Sequence, residues 1–278
     1  DTTKDYFQSL IERRALASLH DFQSGPGLFG DIGHARFKFC LLTVAAGSTA
    51  ADLIFFARSV EHLAEADRHV SLTPADFRTL NPNTRTCPTF RFRRDADINL
   101  RIYRRAGVLW SDEDPDGNPW GLSFARMFDM AIDSGLFRTR GDLDNSGHRL
   151  CFNRFEGELG THLPLLEAKM AHHYDHRFGD YANKAADSES TSLPEVPAAR
   201  LMDPEYAPLA RYWVESSAVG NRLEGRWERA WLLGWRDICR SFDERTVISC
   251  LVPRSATADT FLLMFSSAPP RHIADLYA

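Results

Sequence analysis

The chain has 278 residues and a mass of 31.5 kDa, with 44% hydrophobic and 26% charged residues. That composition excludes a wholly disordered polypeptide and supplies enough apolar mass for one large domain or two small ones. The net charge of −5 speaks against a uniformly basic surface, and no apolar run approaches the ~18 residues that a membrane-spanning helix needs.

In chain order, residues 5–16 (DYFQSLIERRAL) place Tyr6, Phe7, Leu10 and Ile11 on one face of a predicted helix. Residues 36–44 (RFKFCLLTV) alternate and then run apolar, as a strand entering a core would, and residues 52–57 (DLIFFA) form a second such run. Thr73-Pro74-Ala75-Asp76 is a helix start, with a capping hydroxyl, Pro in the first turn and an acid at the positive end of the dipole. A short helix is predicted over 95–105, with Ile98 and Ile102 inward. Residues 111–118 (SDEDPDGN) form a polar turn cluster at a domain boundary, and residues 142–147 (DLDNSG) a further loop. The Ala, Ser, Glu and Pro of 183–197 suggest a mobile linker, and residues 231–238 and 246–252 read as late strands. Helices and strands mix without regular βαβ alternation or repeats. The expected class is therefore α+β with mixed sheets, divided into portions 1–110 and 111–278, the linker lying near 183–200.

Five widely spaced cysteines (Cys40, Cys87, Cys151, Cys239, Cys250) form no CxxC pair. They argue against a disulfide scaffold or zinc finger and for a reducing, cytoplasmic setting without a signal peptide. The charge is unevenly distributed. Residues 84–105 hold seven arginines (Arg85, Arg91, Arg93, Arg94, Arg101, Arg104, Arg105) against Asp95 and Asp97, a local +5 that leaves −10 elsewhere. This is the most nucleic-acid-like feature of the composition. A solvated helix face bridged to acids, or the arginine bias of a GC-rich genome, would produce the same run, since 29 of 33 basic residues are arginine.

The chain contains no GxGxxG, GxxxxGK[ST], GxSxG or HExxH motif, and no Asn/Asp-Pro-Pro-aromatic tetrapeptide. Its densest polar group is LPLLEAKMAHHYDHR (163–177). Glu167-x-Lys169 at the end of an apolar run matches half of a PD-(D/E)xK nuclease site, with Asp142 or Asp144 as the missing acid that would help hold Mg²⁺. His172 and His176 have helical i,i+4 spacing, which zinc can use, but no third ligand follows from the spacing. The same residues could face nucleic acid or lock two elements together. Trp227, Trp231 and Trp235 form one stripe on a helix; on a strand, Trp231, Leu233 and Trp235 would share a buried face. Core packing and base stacking are the two readings of that stripe.

Several longer blocks carry a resemblance. They are LFGDIGHARFKFCLLT from Leu28, NPNTRTCP followed by FRFRRDADI, PLLEAKMAHHYDHRF, WLLGWRDI, and DERTVISCLVPR ending at Arg254. In this order the chain resembles the large fused bacterial adenine-specific DNA methyltransferases, namely the single-chain restriction–modification enzymes and the BREX- and DISARM-type phage-defence methylases. The resemblance implies a target-recognition region that follows the catalytic domain and closes over double-stranded DNA while the adenine is flipped out. It further implies a piece of a longer protein, cut before the family's own C-terminus. The S-adenosylmethionine site would lie in the methyltransferase domain of the parent, and this chain would bind no cofactor or metal and catalyse nothing alone. It places Lys169, His172, His173, His176 and Arg177 near the DNA backbone or the catalytic cleft. Arg85, Arg91, Arg93, Arg94, Arg101 and Arg105 would supply further backbone contacts, and Arg236 and Arg245 lie in the two late blocks. The rival expectations are a Mg²⁺-dependent nuclease built on Glu167 and Lys169, and a non-catalytic piece that docks a partner subunit.

Overall fold

A computed structural model of the chain describes residues 2–23, 28, 38–184, 190, 192–240, 243 and 245–277. Among them are seven α-helices and thirteen strands in mixed and antiparallel sheets, an α+β architecture. The chain forms two units, Asp1–Pro119 and Trp120–Ala278. None of the described helices is long and apolar enough to cross a membrane.

The first unit contains α1 (Thr2–Glu12), β1 (Leu16–Gln23), β2 (Lys38–Val44), β3 (Ala51–Ala57), β4 (Val70–Leu72), α2 (Pro74–Leu80) and α3 (Arg93–Ala106). Its sheet has the order β2-β1-β3-β4, with β1 and β3 parallel and the outer pairs antiparallel. β3 is central and is buried on both faces. Leu53 and Phe55 meet Leu10, Ile11, Phe77, Phe90 and Leu100, whereas Ile54 and Ala57 pack with Phe22 and Phe39 on the other side. Each such fully buried side chain contributes on the order of 1.5–3 kcal/mol. Thr73 and Asp76 form the expected capping box at the start of α2.

Three expectations fail in this unit. β2 is an edge strand rather than a core strand: among the described residues it pairs only with β1, and Leu41, Leu42 and Val44 are exposed (Arg36 and Phe37 lie outside the described residues). Tyr6 is exposed as well, while Phe7, Leu10 and Ile11 of the same predicted face pack in the core. α3 is rotated from its expected setting. Ala96 and Leu100 face inward, and Ile98 and Ile102 are exposed.

The second unit comprises β5 (Leu122–Ala125), α4 (Arg140–Asn145), β6 (Arg149–Cys151), β7 (Arg154–Gly157), β8 (Gly160–Leu166), α5 (Ala198–Leu201), β9 (Trp213–Glu215), α6 (Ser216–Leu223), β10 (Trp231–Arg236), β11 (Ser249–Pro253), β12 (Ala256–Thr257), β13 (Phe261–Ser266) and α7 (Pro270–Tyr277). One sheet has the antiparallel order β11-β10-β13-β5. The other runs β12-β8-β7-β6, with β9 also paired to β8. Phe128, Phe155, Trp213, Leu165, Leu232 and Phe261 are almost completely buried. Gly234 is required where β10 crosses Phe261, since a Cβ there would lie 2.4 Å from both the Leu262 carbonyl oxygen and the Phe261 ring.

Residues 142–147, expected as a loop, belong mostly to α4. The box of Thr139 and Asp142 that starts this helix repeats the pattern of α2. The tryptophan segment is a strand from residue 231 onward, but its buried residues are Leu232, Leu233 and Gly234, with Trp231 and Trp235 half-buried. Trp227 precedes the strand, is buried, and meets Trp231 edge to face. The stripe is therefore packing. Of the expected linker, residues 185–189 and 191 lie outside the described residues.

Candidate nucleic-acid interface

α3 begins where the Phe92 N–H donates to the Asp95 carboxylate at 3.2 Å, and it stops at Gly107, whose φ of 72° admits glycine readily. Ala96 and Leu100 anchor its inner face, so Arg94, Ile98, Arg101, Ile102 and Arg105 lie together on the outer one, with Asp97 beside them. Arg94 and Arg105 have no hydrogen-bond or ion-pair partner among the described residues. Arg101 donates, among the described residues, only to the Asp97 carbonyl of its own helix, at 3.2 Å. From Arg94 to Arg105 this cationic stripe spans about 16 Å at ~1.5 Å per residue.

The other arginines of the run point elsewhere. Arg85, held at φ 48°, pairs with Glu12 and Glu113. Arg93 donates to the His69 and Ala66 carbonyls, Arg91 lies over the Phe56 ring, and Arg104 pairs with Asp76. The preceding NPNT segment is a folded turn. Asn81 donates to the Thr86 hydroxyl at 2.7 Å, Asn83 donates to the Trp110 carbonyl, and the Asn83 side-chain oxygen accepts from Asp112.

In the second unit, β8 delivers Glu167 and Lys169 to its end as the sequence suggested. The two form an ion pair at 3.0 Å, and the Tyr181 hydroxyl donates to Glu167 at 2.6 Å. Burial works against the Lys169 charge, but hydrogen bonds with Tyr181 and Glu167 outweigh it and hold the pKa above the usual lysine range. Burial and the same carboxylate push the Tyr181 phenol upward. Tyr181 was not singled out in the sequence, where nothing distinguishes it from its neighbours. Asp142 is the capping acid of α4, and Asp144 faces Arg140 on the same helix. Among the described residues no group of three or more His, Cys, Asp and Glu could hold a metal ion.

His172 and His176 are not on a helix. The main chains of His172 and Asp175 exchange hydrogen bonds around a tight turn with Tyr174 at φ 61°, so the helical ligand spacing does not arise. The His172 ring packs on Phe178, and His173 lies against Tyr174 and 3.3 Å from the Ser249 hydroxyl. Partial burial and the Arg245 charge lower the His173 pKa. Arg177 and Arg236, both expected at DNA, turn inward. Arg177 donates to the carbonyls of Leu201, Asp203 and Tyr206, and Arg236 grips the Ala171 carbonyl with Nε and Nη2 at 2.9 and 2.7 Å. Arg245 is exposed and has no side-chain partner among the described residues.

The structure thus separates the candidates into two sets. Arg94, Arg101, Arg105 and Arg245 are open to a polyanion. Arg85, Arg91, Arg93, Lys169, Arg177 and Arg236 hold the protein's own groups. No protein-family model matches the chain, and no curated protein or solved structure matches it either.

Proposed function

We propose that this chain is a DNA target-recognition module of a site-specific adenine-N6 DNA methyltransferase. It acts with double-stranded DNA and with an S-adenosylmethionine-dependent methyltransferase domain of the same parent protein in the bacterial cytoplasm, and does not catalyse by itself. The observation that carries the DNA-binding part is the outer face of α3, where three arginines stand along one stripe without a carboxylate partner among the described residues. Such a stripe follows phosphates along a strand, and Ile98 and Ile102 between the cations add apolar contact. The methyltransferase assignment rests on the order of the sequence blocks. The internal pairing of Glu167 with Lys169 and Tyr181, and the commitment of Asp142 and Asp144 to α4, weigh against the nuclease alternative.

The test is duplex DNA retention by the whole chain at 50 and 200 mM salt with Mg²⁺ present, the products being resolved on a gel. The reading expects intact DNA held in a salt-sensitive manner. Cleavage abolished in Glu167→Ala would replace it with the nuclease. Salt-insensitive protein docking with negligible DNA affinity would replace it with the subunit-docking role.

A further inference from the structure

The second unit holds a cavity of about 280 Å³. Its lining combines apolar Leu163, Leu166 and Met170 with Phe152, Tyr206, Arg177, Arg254, Ser255 and the carboxylate of Glu205. The volume sits at the lower edge of small-molecule sites, which run on the order of 300–1,000 Å³, so it suits one ring system with a small substituent.

Three independent features of the walls call for a ligand. First, Arg177 and Arg254 are half-buried cations without an ion-pair partner among the described residues. Their guanidinium groups bond only to neutral carbonyls: Leu201, Asp203 and Tyr206 for Arg177, Trp227 and Arg229 for Arg254. The neighbouring Asp175 carboxylate accepts from the Arg177 main-chain N–H. Carbonyls satisfy donors but leave the charge uncompensated, and the lining carries Arg154, Arg177 and Arg254 against the single carboxylate of Glu205, so the cavity favours an anion. Second, the Ser255 hydroxyl has no hydrogen-bond partner among the described residues although the residue is 5% exposed. An orphaned buried hydroxyl is destabilising unless a ligand meets it. Third, Phe152 stands 63% exposed at φ 57° in the turn between β6 and β7, an apolar ring held in water by a backbone conformation that disfavours it.

The walls are also fixed in advance. Tyr206 donates to the buried Asp180 carboxylate, which also accepts from the Leu209 and Ala182 N–H groups. Arg177 is held by three carbonyls, so little ordering remains to be done on binding.

We propose that this cavity binds a single nucleotide, its base against Phe152 and Tyr206 and its phosphate at Arg177 and Arg254. The source of that nucleotide rests on the DNA-recognition reading: a nucleotide extruded from the bound duplex, as opposed to a free mononucleotide. The two sources share one chemistry, a flat ring joined to a phosphate, and are separated by experiment.

The whole chain is titrated with adenosine monophosphate, with inorganic phosphate, and with duplexes carrying 2-aminopurine at successive positions, as wild type and as Phe152→Ala and Ser255→Ala. Both variants leave the arginine clamps intact, and Phe152 is exposed, so folding is retained. Base–aromatic stacking of about 1–3 kcal/mol predicts at least a roughly fivefold loss of mononucleotide affinity in Phe152→Ala. The DNA source predicts 2-aminopurine brightening at one position with the wild type and none with Phe152→Ala. Duplex binding with no response of either probe to Phe152→Ala overturns the pocket and leaves the DNA reading standing. Phe152-dependent mononucleotide binding without duplex binding keeps the pocket and overturns the DNA reading. Inorganic phosphate binding alone, indifferent to Phe152→Ala, overturns the nucleotide assignment.

Discussion

On α3 in the first unit, Arg94, Arg101 and Arg105 stand outward on a helix whose buried face is Ala96 and Leu100. In the second unit, Arg177, Arg236 and Arg254 turn inward and close on main-chain carbonyls, seven hydrogen bonds in all. The residue type is the same and the physical work differs. A planar guanidinium with five donors can stand open to a polyanion, or it can use part of its donors to staple loops whose carbonyls have no strand or helix to pair with and keep the rest for a ligand. Irregular segments such as 167–183 and 201–212 leave many such carbonyls, and the second unit uses arginine to satisfy them.

The largest effect that distinguishes the two uses is expected at Arg177. Arg177→Ala removes donors from three carbonyls and should cost about 3 kcal/mol, with Arg177→Lys recovering little because one ammonium cannot span the three acceptors. Chemical denaturation would show it, and a loss below about 1 kcal/mol would mean that water replaces the clamp. Arg236→Ala should follow at about 2 kcal/mol, read in the same way, since it strips both donors from the Ala171 carbonyl. The combined Arg94→Ala, Arg101→Ala and Arg105→Ala variant should instead melt with the wild type and bind duplex DNA more weakly. Coincident melting with unchanged DNA affinity would remove α3 from the interface.

The smallest effect concerns pH. The Leu63 carbonyl and the Asp52 carboxylate both accept hydrogen bonds from the His69 ring, and these raise its pKa above the ordinary value of 6.5. The protonated ring therefore favours the folded state. Its contribution is full below about pH 6.5 and fades as pH rises through the raised value. His69→Gln should flatten the stability profile across that interval, measured as melting temperature from pH 5.5 to 8.5. A profile as steep as that of the wild type would assign the pH dependence elsewhere.

The α+β class, β3, the capped start of α2 and the late strands were legible because each has a local physical cause: a continuous apolar run or a Thr-x-x-Asp box. The same box at Thr139 and Asp142 marked α4, but the Asn-Ser-Gly that follows reads more strongly as a turn. α3 was misoriented because Ile98/Ile102 and Ala96/Leu100 have the same four-residue spacing, and only the packing of Leu100 against Phe77 and Phe90 in one core decides between them. The site was less legible still. Nothing local in the sequence tells that Arg177 and Arg236 face inward, since their partners are carbonyls about 24 to 65 positions away. Phe152, Arg254 and Ser255 were likewise invisible as a set, because separate strand ends bring them to one cavity.

The central claim is that the outer face of α3 carries the DNA contact while the inward arginines hold the fold. Its most direct test is the slope of log affinity against log salt for duplex DNA, wild type against the triple α3 variant. Each lost phosphate contact removes about 0.9 from the slope, so the account predicts a slope shallower by about 2 to 3. An unchanged slope in a variant that folds normally would contradict it.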